Sequence, residues 1–130
     1  MKKLVAIYTG QGLAEPLQKL IRAELPDLQL VNIIDDGIIH DVIKAGGVTK
    51  AITRRLIRYY QTAVEVGADL ILNTCSSVGE VVDLGIEMID VPIVKIDEPM
   101  ARHAAANYES IGVVATLPTT LRPTARLVQA

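Results

Sequence analysis

The sequence predicts an α/β fold, a parallel sheet with helices on both faces. Short apolar runs rich in Val and Ile alternate along the chain with longer segments whose apolar residues recur at helical spacing. At 130 residues, half of them hydrophobic, the chain is long enough to bury the core of one domain. Strands that alternate with helices form a parallel sheet, so we expect a flavodoxin-like or Rossmann-like lobe.

Five apolar runs predict five strands. The first, "KLVAIYT", ends at Gly10 and Gly12, and the second, "LQLVNII", is followed by the turn Asp35-Asp36-Gly37. The third, "ADLILN", leads directly into the polar segment Thr74–Ser77. The five predicted strands cover residues 3–9, 28–34, 68–73, 91–96 and 111–116.

Periodicity and end signals place helices between these strands. Thr49 opens a long helix, and Gly67 ends it at a position that needs a positive φ. Ser77 and Glu80 have the spacing of a capping box, which predicts a helix start after the third strand. Pro99 suits the first turn of a later helix. The predicted helices cover residues 13–25, 38–45, 49–66, a segment from 77 onward, 98–108, and a helix start within 119–130.

Charge and composition limit the partners. The net charge of −2 leaves no basic footprint, so we expect no nucleic-acid partner. No segment reaches the roughly 20 apolar residues of a membrane helix, so we expect no membrane partner. Cys75 is the only cysteine and has no internal disulfide partner, which favours a reducing, cytoplasmic location.

Polar residues cluster where the predicted strands end. Thr9–Gly12 follow the first strand, Asn73–Ser77 close the third, and Thr116–Thr120 follow the fifth. Parallel strands end at one edge of the sheet, and ligands bind there near a switch in strand order. We therefore expect a binding site at this edge.

Cys75 lies in the middle of this polar cluster, two residues before the expected helix start at Ser77. Free backbone N–H groups at a helix start would favour a thiolate or a bound anion. The alternative is that Cys75 is a small buried hydrophobe, which single cysteines often are. Ser77 is expected to be a cap rather than a catalyst.

Several other chemistries are excluded or disfavoured. There is no Cys-x-x-Cys pair, and Val81 stands where a cysteine phosphatase would have its arginine. The two histidines, His40 and His103, lie on predicted helices. His40 could approach a site at the strand ends, but a solvated helix histidine is the favoured interpretation. No spacing resembles a metal site, Asp35-Asp36 indicates a turn, and "TGQG" lacks the dinucleotide fingerprint, so we expect no cofactor or metal.

A thiolate can also take a proton from a carbon next to a carboxylate, provided that hydrogen-bond donors stabilise the carbanion. The hydroxyl and amide side chains at the strand ends could supply such donors without a metal. These residues are Thr9, Asn73, Thr74, Ser76, Thr116 and either Thr119 or Thr120.

Three motifs, "GADLILNTCSS", "YTGQG" and "IGVVATLPTT", resemble those of the aspartate/glutamate/hydantoin racemase family. Members of that family need no cofactor and invert a stereocentre with two cysteines on opposite faces of the substrate. The resemblance implies a cofactor-independent amino-acid racemase in which Cys75 abstracts the proton of the α-carbon. It implies substrate contacts from Thr9, Gly10, Asn73, Thr74, Ser76, Thr116, Thr119 and Thr120.

The family has two similar lobes, and its second cysteine lies in the later half. By this resemblance, residues 1–97 form a first lobe with the Cys75 site, and residues 98–130 begin a truncated second lobe. The second cysteine would then be missing, so we expect this chain alone to be incomplete. We also expect a homo-oligomer, because a strand at 111–116 would have an unpaired edge.

Two alternatives stay open. The chain could be a non-catalytic α/β domain that binds a small anion, or a related decarboxylase or isomerase of the same superfamily. In each case, the expected partner is a small carboxylate or a hydantoin-like molecule.

Overall fold

The computed structural model describes residues 1–130 as a four-stranded sheet with six α-helices. None of the helices combines the length and the apolar composition that crossing a bilayer requires. The elements are β1 (Lys3–Tyr8), α1 (Ala14–Glu24), β2 (Gln29–Ile34), α2 (Gly37–Ala45), α3 (Lys50–Glu65), β3 (Leu70–Asn73), a single 3-10 turn (Ser76–Val78), α4 (Gly79–Met88), β4 (Ile93–Lys95), α5 (Glu98–Asn107) and α6 (Pro118–Gln129).

All four strands are parallel, in the order β2-β1-β3-β4, which confirms the predicted α/β fold. The central strand β1 pairs on both sides, so that Ala6 lies between Asn32 of β2 and Leu72 of β3. The chain first places β2 on one side of β1 and then crosses to place β3 on the other. The carboxyl ends of β1 and β3 are therefore the switch point of the sheet.

The larger core lies between the sheet and helices α2, α3 and α4. Val5, Ile7, Ile71 and Ile93 point from the strands into this core, because alternate residues of a strand face the same side. The matching residues of α3 recur at helical spacing and are buried, as the sequence predicts: Ile52, Leu56, Tyr60 and Ala63.

The opposite face of the sheet carries a smaller core beneath α1. Ala6 and Tyr8 of β1 pack here against Ala14 at the start of α1, with partly buried Leu17 and Leu30 around them. Helices thus cover both faces of the sheet, as predicted.

Most predicted helix ends are confirmed. The Thr49 hydroxyl accepts a hydrogen bond from the Ile52 N–H at 3.2 Å and caps α3. Gly67 follows α3 with φ +88°, and Gly46 ends α2 with φ +74°, conformations that side chains with a Cβ rarely adopt.

The predicted capping box is wrong in its detail. A helix does start in this region, but α4 begins at Gly79, and neither Ser77 nor Glu80 makes a capping hydrogen bond. The Ser77 hydroxyl and the Glu80 carboxylate are both bonded to α6, far along the chain. Hydrogen bonds to α6 have therefore taken the place of the capping bonds that the local sequence predicts.

The predicted fifth strand, residues 111–116, is also wrong. This segment makes no backbone hydrogen bond, and Val114 is 95% exposed. A β-branched run forms a strand only when a neighbouring strand pairs with its backbone groups, and the four strands of the sheet pair only with one another. The homo-oligomer and the division into lobes at residue 97 stay predictions. The helix predicted within 119–130 is confirmed as α6.

Gly85 of α4 permits a close contact between this helix and the larger core. A Cβ at this position would lie 2.8 Å from Cδ2 of Tyr60 and 2.9 Å from Cδ1 of Ile93, far inside van der Waals contact. Helix α4 can rest on the tyrosine ring only because residue 85 has no side chain.

We predict that Gly85→Ala destabilises the protein by about 1–3 kcal/mol, the usual cost of overpacking, although Ala is the better helix former by about 1 kcal/mol. Urea unfolding is the measurement. Gly112→Ala is the control, because a Cβ there meets nothing within 4 Å. Equal stabilities of the two variants would show that the close contact at Gly85 does not exclude a Cβ at this position.

Candidate functional site

A cleft of about 770 Å³ opens at the carboxyl ends of β1, β2 and β3, at the switch point of the sheet. Its walls come from the loops that follow these strands and from the start of α6. The lining residues are Tyr8–Leu13, Asp36, Ile39, His40, Thr74–Ser77, Thr116, Leu117 and Thr120.

Cys75 lies in the wall of the cleft directly after β3. The residue is half-buried and packs against the larger core on its inner side. Its backbone is extended, and its carbonyl oxygen accepts hydrogen bonds from the Val78 N–H at 3.3 Å and from Nδ2 of Asn73 at 3.1 Å. Two donors thus hold the peptide that carries the thiol.

The cleft brings together most of the residues that the sequence singles out. The exceptions are Asn73, which is buried beneath the Cys75 loop, and Thr119, which lines an adjoining cavity. The predicted site residues that line the cleft are Thr9, Gly10, Thr74, Cys75, Ser76, Thr116 and Thr120.

The hydroxyl groups of the cleft divide into two sets. The Thr74 hydroxyl donates to the Ile7 carbonyl at 2.8 Å, which ties the Cys75 loop to the end of β1. The Thr120 hydroxyl is shared with Ser77. The Ser and Thr hydroxyls that make no hydrogen bond within the protein are those of Thr9, Ser76 and Thr116, and the hydroxyl of Tyr8 is also without a partner.

The cleft also presents unpaired backbone donors. The N–H groups of Gly10, Gln11, Gly12 and Cys75 donate to no acceptor within the protein. They belong to two loops that face the same cleft, one after β1 and one after β3. Successive free N–H groups in a loop favour an anion, so this arrangement suits a carboxylate.

Asn73 supports the Cys75 loop from below and does not reach the cleft. Its side chain is 1% exposed, accepts a hydrogen bond from the Tyr60 hydroxyl at 3.0 Å, and donates to the Cys75 carbonyl. The sequence places Asn73 correctly at the strand end. The direction of its side chain follows from the buried tyrosine on α3, which no local pattern reveals.

Ser77 joins the Cys75 loop to α6. Its hydroxyl is buried and lies 3.0 Å from the Thr119 hydroxyl and 2.8 Å from the Thr120 hydroxyl. The Arg126 guanidinium, about two turns further along α6, pairs with Glu80 at 2.9 Å. These contacts separate the cleft from the adjoining cavity of about 730 Å³, which holds Arg122 and Arg126.

Sequence reasoning missed a polar cluster behind the loop that follows β2. The Asp35 carboxylate accepts hydrogen bonds at 2.6 Å from both Arg55 and Tyr59 of α3, and Oδ1 accepts from the Gly37 N–H. Burial alone would raise the pKa of Asp35, but the bonds from Tyr59 and Arg55 outweigh burial and hold the pKa below its ordinary value. The turn predicted at Asp35 is thus also an anchor to α3.

This anchored loop carries the third wall of the cleft. Asp36 accepts a hydrogen bond from Nε2 of Gln11 at 2.7 Å, which links the loops after β1 and β2. His40 is exposed and lines the cleft, whereas His103 lies on α5 away from it. No three His, Cys, Asp or Glu side chains are grouped as metal ligands.

A model of the Asp/Glu/Hydantoin racemase family matches residues 5–130, nearly the full chain. The chain belongs to this family. Membership supports a racemase-type isomerase as the general activity. No curated protein sequence matches the chain at a significant level. The family match includes the loops that build the cleft.

We predict that Asp35→Asn lowers stability by about 1.5–3 kcal/mol near neutral pH, the range for hydrogen bonds to a charged group. Because the pKa of Asp35 is lowered by folding, its contribution is present above the unfolded-state value of about 3.9 and is lost as pH falls through the folded-state pKa. The stability difference between wild type and variant should therefore shrink in acid.

Urea unfolding at a series of pH values measures this difference. Asp27→Asn is the control, since Asp27 is exposed and makes no side-chain hydrogen bond or ion pair. A stability difference for Asp35→Asn that stays constant down to about pH 3 would contradict the assignment.

Proposed function

We propose that the protein is a cofactor-independent racemase of aspartate, glutamate, hydantoin or related compounds, with Cys75 as an acid/base group at the α-carbon. The observation that carries this proposal is the position of the thiol. Cys75 lines the cleft at the switch point, in a chain that belongs to the racemase family. Residues with free hydrogen-bond donors line the same cleft.

In the proposed reaction, the residues of each cleft loop have a separate role. The free N–H groups of Gly10, Gln11 and Gly12 and the hydroxyls of Thr9 and Thr116 would bind the carboxylate. The Cys75 thiolate takes the α-proton, and the electron pair of the broken C–H bond moves into the carboxylate. These donors then stabilise the charge that builds up on its oxygens, which is where such stabilisation lowers the barrier.

Inversion requires that a proton return to the opposite face of the carbanion. Cys75 is the only cysteine of the chain and can transfer protons at one face of the carbanion. The part of the reaction assigned to this chain is therefore proton exchange at the α-carbon of one enantiomer by Cys75.

The lining of the cleft fits a small, anionic or polar ligand. No Lys or Arg lines it, so a carboxylate would be held by neutral donors rather than by an ion pair. A volume of about 770 Å³ lies within the usual range of small-molecule sites. A non-catalytic anion-binding domain would use the same donors and would leave Cys75 without a role.

We predict that Cys75→Ser abolishes exchange of the substrate's α-proton with solvent deuterium while ligand binding survives, because the alcohol is a far weaker acid than the thiol. Mass spectrometry of the substrate in D₂O measures exchange, and calorimetry measures binding. Exchange at the wild-type rate in the variant would rule out Cys75. Binding without exchange in both proteins would favour the anion-binding alternative.

We predict that Thr116→Val weakens carboxylate binding by about 0.5–1.5 kcal/mol, the net contribution of one hydrogen bond, because Thr116 is exposed. The change keeps the shape of the side chain and removes a hydroxyl that makes no hydrogen bond within the protein. Thr53→Val is the control, because Thr53 lines the adjoining cavity and not the cleft. Equal affinities of the two variants for the carboxylate would show that Thr116 does not bind it.

A further inference from the structure

A single polar side chain lies on the buried face of α3. Tyr60 is fully buried between α3, α4 and the sheet, and its buried companions on the helix are Ile52, Leu56 and Ala63. A hydroxyl in such a place costs free energy unless it is hydrogen-bonded. The partner of the Tyr60 hydroxyl is Oδ1 of Asn73, at 3.0 Å.

Chemistry fixes the direction of this hydrogen bond. The Cys75 carbonyl can only accept, so the nitrogen of the Asn73 amide must face it, at 3.1 Å. The amide oxygen then faces Tyr60, and the phenol must donate. Burial raises the pKa of Tyr60 above its usual range, and nearby Cys75 and Asp83 raise it further, so the phenol keeps its proton.

The ring of Tyr60 is itself held in place. Gly85 of α4 leaves no room for a Cβ against the ring edge, and the Tyr60 hydroxyl is directed at the end of β3. The ring cannot move toward α4 without a clash, and Asn73 is 1% exposed, so water does not replace the phenol as its partner. A continuous chain of contacts therefore runs from α4 through Tyr60 and Asn73 to the peptide that carries the thiol.

We propose that Tyr60 is a positioning residue for Cys75, acting through the Asn73 amide on the Cys75 carbonyl. The proposal rests on the proposed function, because the orientation of Cys75 affects the reaction only if its thiol transfers a proton. Tyr60 does not touch the cleft, so its effect is on the orientation of Cys75 and not on ligand contacts.

The experiment compares Tyr60→Phe with Tyr59→Phe. Both changes remove one hydroxyl from the same helix: Tyr60 donates to Asn73, and Tyr59 donates to Asp35. Both are expected to lose some stability in urea unfolding. The distinguishing measurement is the rate at which iodoacetamide alkylates Cys75, the only thiol of the chain, in the folded protein.

We expect Tyr60→Phe to slow alkylation by about three- to tenfold, the effect of one lost hydrogen bond on the orientation of the thiol. Tyr59→Phe should leave the rate unchanged. In turnover, Tyr60→Phe should lower kcat and leave KM close to the wild-type value, because the cleft contacts are intact. An alkylation rate equal to that of Tyr59→Phe would overturn the proposal.

A double-mutant cycle tests the route. If Tyr60 acts through Asn73, adding Tyr60→Phe to Asn73→Ala should change the alkylation rate no further. Independent, multiplicative effects would overturn the route through Asn73. A wild-type protein that shows no α-proton exchange would refute the proposed function. Alkylation requires no substrate, so the alkylation rates of the Tyr60 and Tyr59 variants would still test the positioning role of Tyr60.

Discussion

The pairing of β1 with β3 is the constraint on which the site depends. The hydrogen bonds of this ladder place the Thr9–Gly12 loop beside the Thr74–Ser77 loop, because parallel strands end at the same edge. The Thr74 hydroxyl adds a second link between the two strand ends by donating a hydrogen bond to the Ile7 carbonyl. The free N–H groups of one loop and the thiol of the other then face a common cleft, which is the arrangement that proton abstraction beside a carboxylate requires.

The apolar core supports this edge from one side. Helices α3 and α4 pack on the sheet face that carries Ile7, Ile71 and Ile93, and Cys75 of the cleft packs against the same core. Two polar groups of α3 extend from that core to the site. Tyr60 bonds Asn73 beneath the Cys75 loop, and Tyr59 bonds Asp35 beneath the loop after β2. One helix therefore holds two of the loops that line the cleft.

The sequence predicts the features that depend on local pattern. The strand–helix alternation, the Thr49 cap, the positive φ at Gly67 and the position of Cys75 at a strand end all follow from nearby residues. The cleft at the switch point follows as well, since it needs only the parallel order of the strands. These predictions are confirmed except for the roles of the site residues, which stay predictions.

The features that the sequence misses depend on distant partners. Residues 111–116 have the composition of a strand, but no strand of the sheet pairs with them, so their backbone stays unpaired. Ser77 has the spacing of a cap, but its hydroxyl bonds Thr119 and Thr120 of a helix more than forty residues away. Asn73 is read as a ligand contact from its place at a strand end, whereas Tyr60 turns its side chain inward. Family resemblance could not correct these points, because each is decided by a contact in the folded chain.

Protection of Cys75 by substrate is the most direct test of a substrate site at this thiol. Iodoacetamide labelling of the folded protein would be followed with increasing aspartate, glutamate or a hydantoin, and with lysine amide as a ligand that lacks a carboxylate. We expect that at least one of the family's substrate types slows labelling in a saturable manner and that lysine amide does not. Labelling that proceeds at one rate with every ligand would contradict a substrate site at Cys75.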